Sequence, residues 1–169
     1  MTPGEGFLMI VLIAFGAMAY AYGTRARERS DKKQQRVLYY RRLVTDLGNA
    51  DTHYGTQTEK VGGVLEMDEI AARQTLEDAK FASRGMLTYE AADFHYLTPE
   101  ESDRMLAFTL DAKACDATIE EAQAMAMAGS NSLPALHADL MKRLDALGSE
   151  AHSLKLRLSP RTNDYFWSE

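Results

Sequence analysis

The sequence predicts an all-α protein in which a single N-terminal transmembrane helix continues into a helical bundle or an antiparallel coiled-coil hairpin. Three observations carry this. Residues 6–24 (GFLMIVLIAFGAMAYAYGT) contain no charged side chain. Beyond them, apolar residues recur at spacings of three and four, the period of one helix face. Helix start and stop signals punctuate the rest, and no strand pattern of useful length occurs.

The uncharged run comes first. At ~1.5 Å per residue, nineteen residues cover about 28 Å, close to the ~30 Å hydrocarbon thickness of a bilayer. Phe7, Leu8, Ile10, Val11, Leu12, Ile13 and Phe15 supply the lipid-facing bulk, and Tyr20 and Tyr22 suit the amphipathic interface belt. A basic collar of Arg25, Arg27, Arg29, Lys32, Lys33 and Arg36 follows at once. It fixes topology, because positive flanks stay on the cytoplasmic side, and it can touch anionic headgroups. The leader MTPGEG has no Lys or Arg, so the expected orientation is N-terminus out with the C-terminal part in the cytoplasm, the bacterial inner membrane being the expected site. A cleaved signal peptide would need a basic leader, which is missing. The start also resembles a type IV prepilin, although that family's glutamate five positions after its cleaved glycine falls on Val11 here.

Val37, Tyr40, Val44 and Leu47 extend the first helix to about residue 47, with Gly48 as its stop. Residues 49–58 (NADTHYGTQT) are polar and read as a loop. A second helix is expected over residues 61–86, on the stripe Leu65, Ala72, Leu76, Ala79, Ser83 and Met86. Tyr89, Phe94, Tyr96 and Leu97 form a short aromatic segment covering one end of the bundle. Thr98, Pro99 and Glu101 make a helix start with capping-box spacing. The third helix runs to about residue 128 on Met105, Phe108, Ala112, Cys115, Ile119 and Ala122. The fourth has the longest seam: Leu133, Leu136, Leu140, Leu144, Leu147, Ala151, Leu154 and Leu158. The short polar turn before it sets helices three and four antiparallel. The resulting organisation is an anchor (1–24), a basic juxtamembrane helix (25–48), a helical bundle (58–158) and an aromatic tail (159–169).

Charge is unevenly placed. Of the net −6, residues 24–43 contribute +6 and residues 44–169 contribute −11. An acidic body argues against nucleic acid as a partner, because phosphate binding needs clustered Lys and Arg. The single cysteine, Cys115, excludes an intrachain disulfide and a Cys-cluster zinc site, and its place on an apolar stripe predicts a buried thiol. His53, His95, His137 and His152 lack the three- or four-residue spacing of helix-borne metal ligands. The adjacent carboxylates Asp68-Glu69, Glu77-Asp78, Glu100-Glu101 and Glu120-Glu121 read as solvated helix faces. No phosphate-binding glycine loop, nucleophile elbow or H-E-x-x-H motif occurs, so neither an enzyme nor a cofactor is expected.

The expected role is a single-pass, membrane-anchored scaffold or accessory subunit acting through other membrane-complex proteins or self-association, with membrane lipid as its other partner. Tyr165, Phe166 and Trp167 are the expected docking tail. An anchor followed by a helical region also resembles the inner-membrane spanin subunit of phages, which would place that region outside the membrane. Leu38-Tyr39-Tyr40-Arg41-Arg42-Leu43 after the span, then Gly63-Val64-Leu65, Glu69, Ala71-Ala72-Arg73 and Leu76, resembles the membrane-anchored hairpin of cytochrome c maturation chaperones. That resemblance implies an assembly factor.

Overall fold

A 60-residue helix, α1 (Pro3–Gly62), organises the molecule. The computed structural model describes residues 3–82, 89–129 and 133–163, without the side chains of residues 3–17, 19 and 91. Three further helices follow, α2 (Glu69–Ala79), α3 (Pro99–Met127) and α4 (Leu133–Leu158), with 3-10 turns at Val64–Glu66, Ala91–Phe94 and Ser159–Thr162. No strand occurs among the described residues, so the all-α expectation holds.

The polar stretch 49–58 is helical, which corrects the expected loop and its stop at Gly48. Its threonines bend back onto the helix: Thr52 Oγ1 donates to the Gly48 carbonyl at 3.0 Å and Thr58 Oγ1 to the Tyr54 carbonyl at 2.8 Å. The driving force is burial. Tyr40, Leu43, Leu47, Ala50, Tyr54, Gln57, Val61 and Val64 alternate spacings of three and four, and all are buried. This unbroken seam outweighs the modest helix cost of the intervening Gly, Thr and Asn.

α1 leaves the core abruptly. Residues 20–36 are exposed apart from the half-buried Thr24 and Lys33, and Val37 is the first core residue. Residues 3–36 thus form a stalk about 50 Å long at ~1.5 Å per residue. Among the described residues no helix is long and apolar enough to cross a membrane; the side chains of Phe7, Leu8, Ile10, Val11, Leu12, Ile13 and Phe15 fall outside that description.

The remaining chain runs down, up and down against residues 37–62. The expected second helix is shorter than its stripe. Gly63 breaks from α1 into the 3-10 turn, Asp68 caps α2 by accepting from the Ala71 amide at 2.8 Å, and after Ala79 the Phe81 amide turns to Asp116 Oδ1 at 3.0 Å. Ala72, Leu76 and Ala79 are buried as expected, whereas Leu65 is exposed and Ser83 and Met86 lie outside the described residues. Thr98 and Glu101 form the expected capping box, and Gly129 ends α3 at φ +59°, the left-handed conformation that favours glycine there.

α3 and α4 are antiparallel, as contacts of Glu100 with Arg157 and of Arg104 with Glu150 show. α4 also runs antiparallel to α1, from His137 beside Val61 to Arg161 beside Tyr40. The two helices come close midway, where a Cβ on Gly148 would sit 3.5 Å from Tyr54 Cβ. Leu140, Leu144, Leu147, Ala151, Leu154 and Leu158 are buried in the seam, with Leu133 and Leu136 partly buried at its start. Burial of a Leu is worth about 1.5–3 kcal/mol, so this seam is a major part of the core.

Candidate functional site

A dense polar cluster lies at the base of the bundle, where the stalk enters it. Glu101 is buried, at 1% exposure, which corrects the reading of Glu100-Glu101 as a solvated pair. Its Oε2 accepts from Arg161 Nη1 at 2.7 Å and from the Thr98 amide at 3.0 Å, while Arg157 Nε lies 3.8 Å from Oε1. Arg161 also donates to Tyr40 Oη at 2.9 Å, and that hydroxyl donates to the Tyr96 carbonyl at 2.6 Å. One guanidinium therefore ties the turn after α4 to the start of α3 and to the middle of α1. Burial pushes the Tyr40 phenol above its ordinary value, against the lowering by Arg161, so this hydroxyl stays protonated and acts as a donor.

Aromatic rings surround this clasp. Tyr39 packs edge-on against Tyr40 and Tyr96 at centroid distances of 5.5 and 5.2 Å, and burial raises its phenol pKa. The Arg36 guanidinium lies 5.6 Å from the Tyr96 centroid, joining the last collar residue to the base. Tyr89 donates to Asp46, and its ring faces Arg42. The segment around residues 89–97 thus covers one end of the bundle, as its rings predict. The arrangement holds three chain segments together.

Of the other collar residues, Arg25, Arg27, Arg29 and Lys32 are exposed on the stalk and Lys33 is half-buried; Met18, Tyr20 and Tyr22 are exposed as well. The docking tail Tyr165, Phe166 and Trp167 lies outside the described residues. The chain reaches it from the base, where Arg41 Nε donates to the Thr162 carbonyl at 3.2 Å.

Two open grooves flank α4. One, of about 510 Å³, lies against α3 and is lined by Arg104, Phe108, Asp111, Arg143, Leu147 and Glu150; its rims are closed by the Arg104–Glu150 pair at 2.7 Å. The other, of about 550 Å³, lies against α1 and includes Asp51, Thr58, Glu59, Asp145, Ser149 and His152. Asp51 accepts from Lys155 Nζ at 2.6 Å and from His152 Nδ1 at 3.0 Å, and these bonds hold its carboxyl below the usual carboxylate range. No group of three metal-ligating side chains occurs among the described residues.

Two histidines finish helix ends. His137 Nε2 donates to the Val61 carbonyl at 2.8 Å and His53 Nε2 to the Ala79 carbonyl at 3.0 Å, each satisfying a terminal carbonyl without an intrahelical partner. Cys115 is buried as expected, and desolvation pushes its thiol up to about 12, which leaves little nucleophilic thiolate at neutral pH.

Sequence reasoning missed the clasp, since Tyr40 reads as an apolar stripe residue and Arg161 as part of a tail. The available signal was Glu101 itself. It falls four residues before Met105 on the α3 stripe, where a carboxylate needs a buried partner. Comparison of the chain with protein-family models, curated proteins and solved structures finds no match in any of the three.

Proposed function

We propose that this chain is a single-pass, membrane-anchored scaffold or accessory subunit whose bundle works by binding other proteins. The observation that carries the reading is the division of α1 at Val37. An isolated helical segment in water is marginal without tertiary packing, yet residues 20–36 touch almost nothing of the bundle. The uncharged run 6–24 gives the stalk a second environment in the bilayer, and Arg25 to Arg36 then lie at the headgroups.

In this reading the span places the N-terminus out and the bundle in the cytoplasm, some 18 Å beyond the hydrocarbon along residues 25–36. The clasp at Glu101 and Arg161 ties α1, α3 and the turn after α4 together where the stalk meets the bundle. In the same reading Tyr165, Phe166 and Trp167, which follow Asn163 in sequence, serve as a docking tail. The grooves and the paired charges of the body offer surfaces for protein contact.

The test is a pair of C-terminal fusions after Glu169 in a bacterial host, one to alkaline phosphatase and one to a fluorescent protein, with alkaline extraction of the membranes. Fluorescence without phosphatase activity, in an extraction-resistant membrane fraction, is expected. Strong phosphatase activity without fluorescence would refute the orientation and favour the spanin-like alternative. Release by alkali would refute the anchor.

A further inference from the structure

Among the described residues, the end of the bundle opposite the stalk exposes large apolar side chains beside carboxylates. Residues 65–70 (LEMDEI) are all exposed. Ile70 is 84% exposed, Leu65 45% and Met67 38%. These three alternate with Glu66, Asp68 and Glu69, and no Lys or Arg interrupts the run. Met127, 48% exposed at the end of α3, joins them. Gln123 Nε2 donates to the Arg73 carbonyl at 3.2 Å, so one turn further along these antiparallel helices Met127 and Ile70 lie level.

The core does not need these side chains. α2 buries Ala72, Leu76 and Ala79 on its inner face, and Ile70 belongs to the outer one. Among the described residues Glu66 and Glu69 form no ion pair, so their charges are also uncommitted. Methionine side chains adapt to varied partner shapes, and large apolar anchors inside a charged rim are the usual make-up of a binding patch.

We infer that this tip docks a segment of another protein that presents an apolar helix face flanked by Lys or Arg. Charge complementarity selects that occupant: Glu66, Asp68 and Glu69 outnumber the exposed Lys60 and Arg73 that border them, so the tip attracts a basic rim and repels an acidic one. A second copy of this chain docked tip to tip would bring the same carboxylates together, and in the membrane-anchored reading its basic collar is held at the headgroups. The inference rests on the protein-binding reading above and adds where the partner sits and what chemistry it has. At ~1.5 Å per residue the tip stands about 57 Å from the collar's first residue along α1, so such a partner is held well away from the stalk.

The test places a photo-crosslinking benzoylphenylalanine at position 70 of the full chain in its native host, with control probes at the exposed Leu110 and Leu156. Crosslinked peptides are then mapped by mass spectrometry. The expected product joins position 70 to a segment of a different protein with alternating apolar and basic residues. Its yield should fall at least tenfold when Leu65→Lys and Met127→Lys are added, and also at high salt. Both residues are exposed, so retained helicity of the double variant would show that the loss is not unfolding. Products only with this chain, with lipid, or with a segment lacking Lys and Arg would overturn the inference, as would none at position 70. If the control positions then still capture a partner, the protein-binding reading survives and the tip assignment alone fails; capture nowhere would count against both.

Discussion

Gly55→Ala separates a helical from a looped stretch 49–58 by the sign of its effect. Gly55 is interior to α1, and a Cβ built on it meets nothing within 4 Å. Alanine there gains the helix propensity that glycine lacks, about 0.8–1 kcal/mol, with no packing penalty to subtract. For a chain of this size 1 kcal/mol corresponds to roughly 2–4 °C, so a rise of about 2–4 °C in Tm is expected. Gly148→Ala is the paired measurement. Its Cβ would meet Tyr54 Cβ at 3.5 Å, an ordinary contact, so the gain should be equal or smaller. The assay is circular dichroism of the detergent-solubilised full chain through thermal and urea unfolding, checked for reversibility. A lower Tm for Gly55→Ala would mean that residue 55 does not have helical backbone angles, and the continuous seam from Tyr40 to Val64 would be refuted.

Arg161→Ala should destabilise by about 2–3 kcal/mol, at the low end of the cost of stranding a buried charge because Arg157 stays near Glu101; Arg161→Ala with Glu101→Gln should recover much of that loss, and a double variant no better than the single would refute the clasp. Leu140→Ala should cost roughly 2–5 kcal/mol, since the residue is fully buried in the α4 seam; urea unfolding within 1 kcal/mol of the parent would show that the seam is not core. The depressed Asp51 pKa contributes stability above the unfolded-state carboxylate value and loses it as pH falls through the folded-state value. Asp51→Asn should therefore lower Tm at pH 7 and converge with the parent once the pH falls below the folded-state value. An equal deficit at both pH values would refute that linkage.

Local patterning was enough to place α3 and α4, because their stripes repeat without interruption and their starts carry a capping box or a polar turn. The same periodicity marked Cys115 and the leucines of α4 as core. It also set the basic collar apart from the body, since charge sequence needs no fold to be read. What it could not decide was whether residues 49–58 continue a helix. Their composition favours a loop, and only the packing of distant segments, α4 at Gly148 and Phe81 on the ring of Tyr54 among them, supplies the burial of Ala50, Tyr54 and Gln57 that reverses that preference. The shortening of α2 is equally tertiary, because the Phe81 amide finds its acceptor thirty-five positions away on Asp116. The clasp brings Tyr40, Glu101 and Arg161 together from separations of 60 residues or more. Short-range spacing determines which face of a helix is apolar, and the packing of distant segments determines which polar groups that face must also bury and which apolar ones it leaves outside.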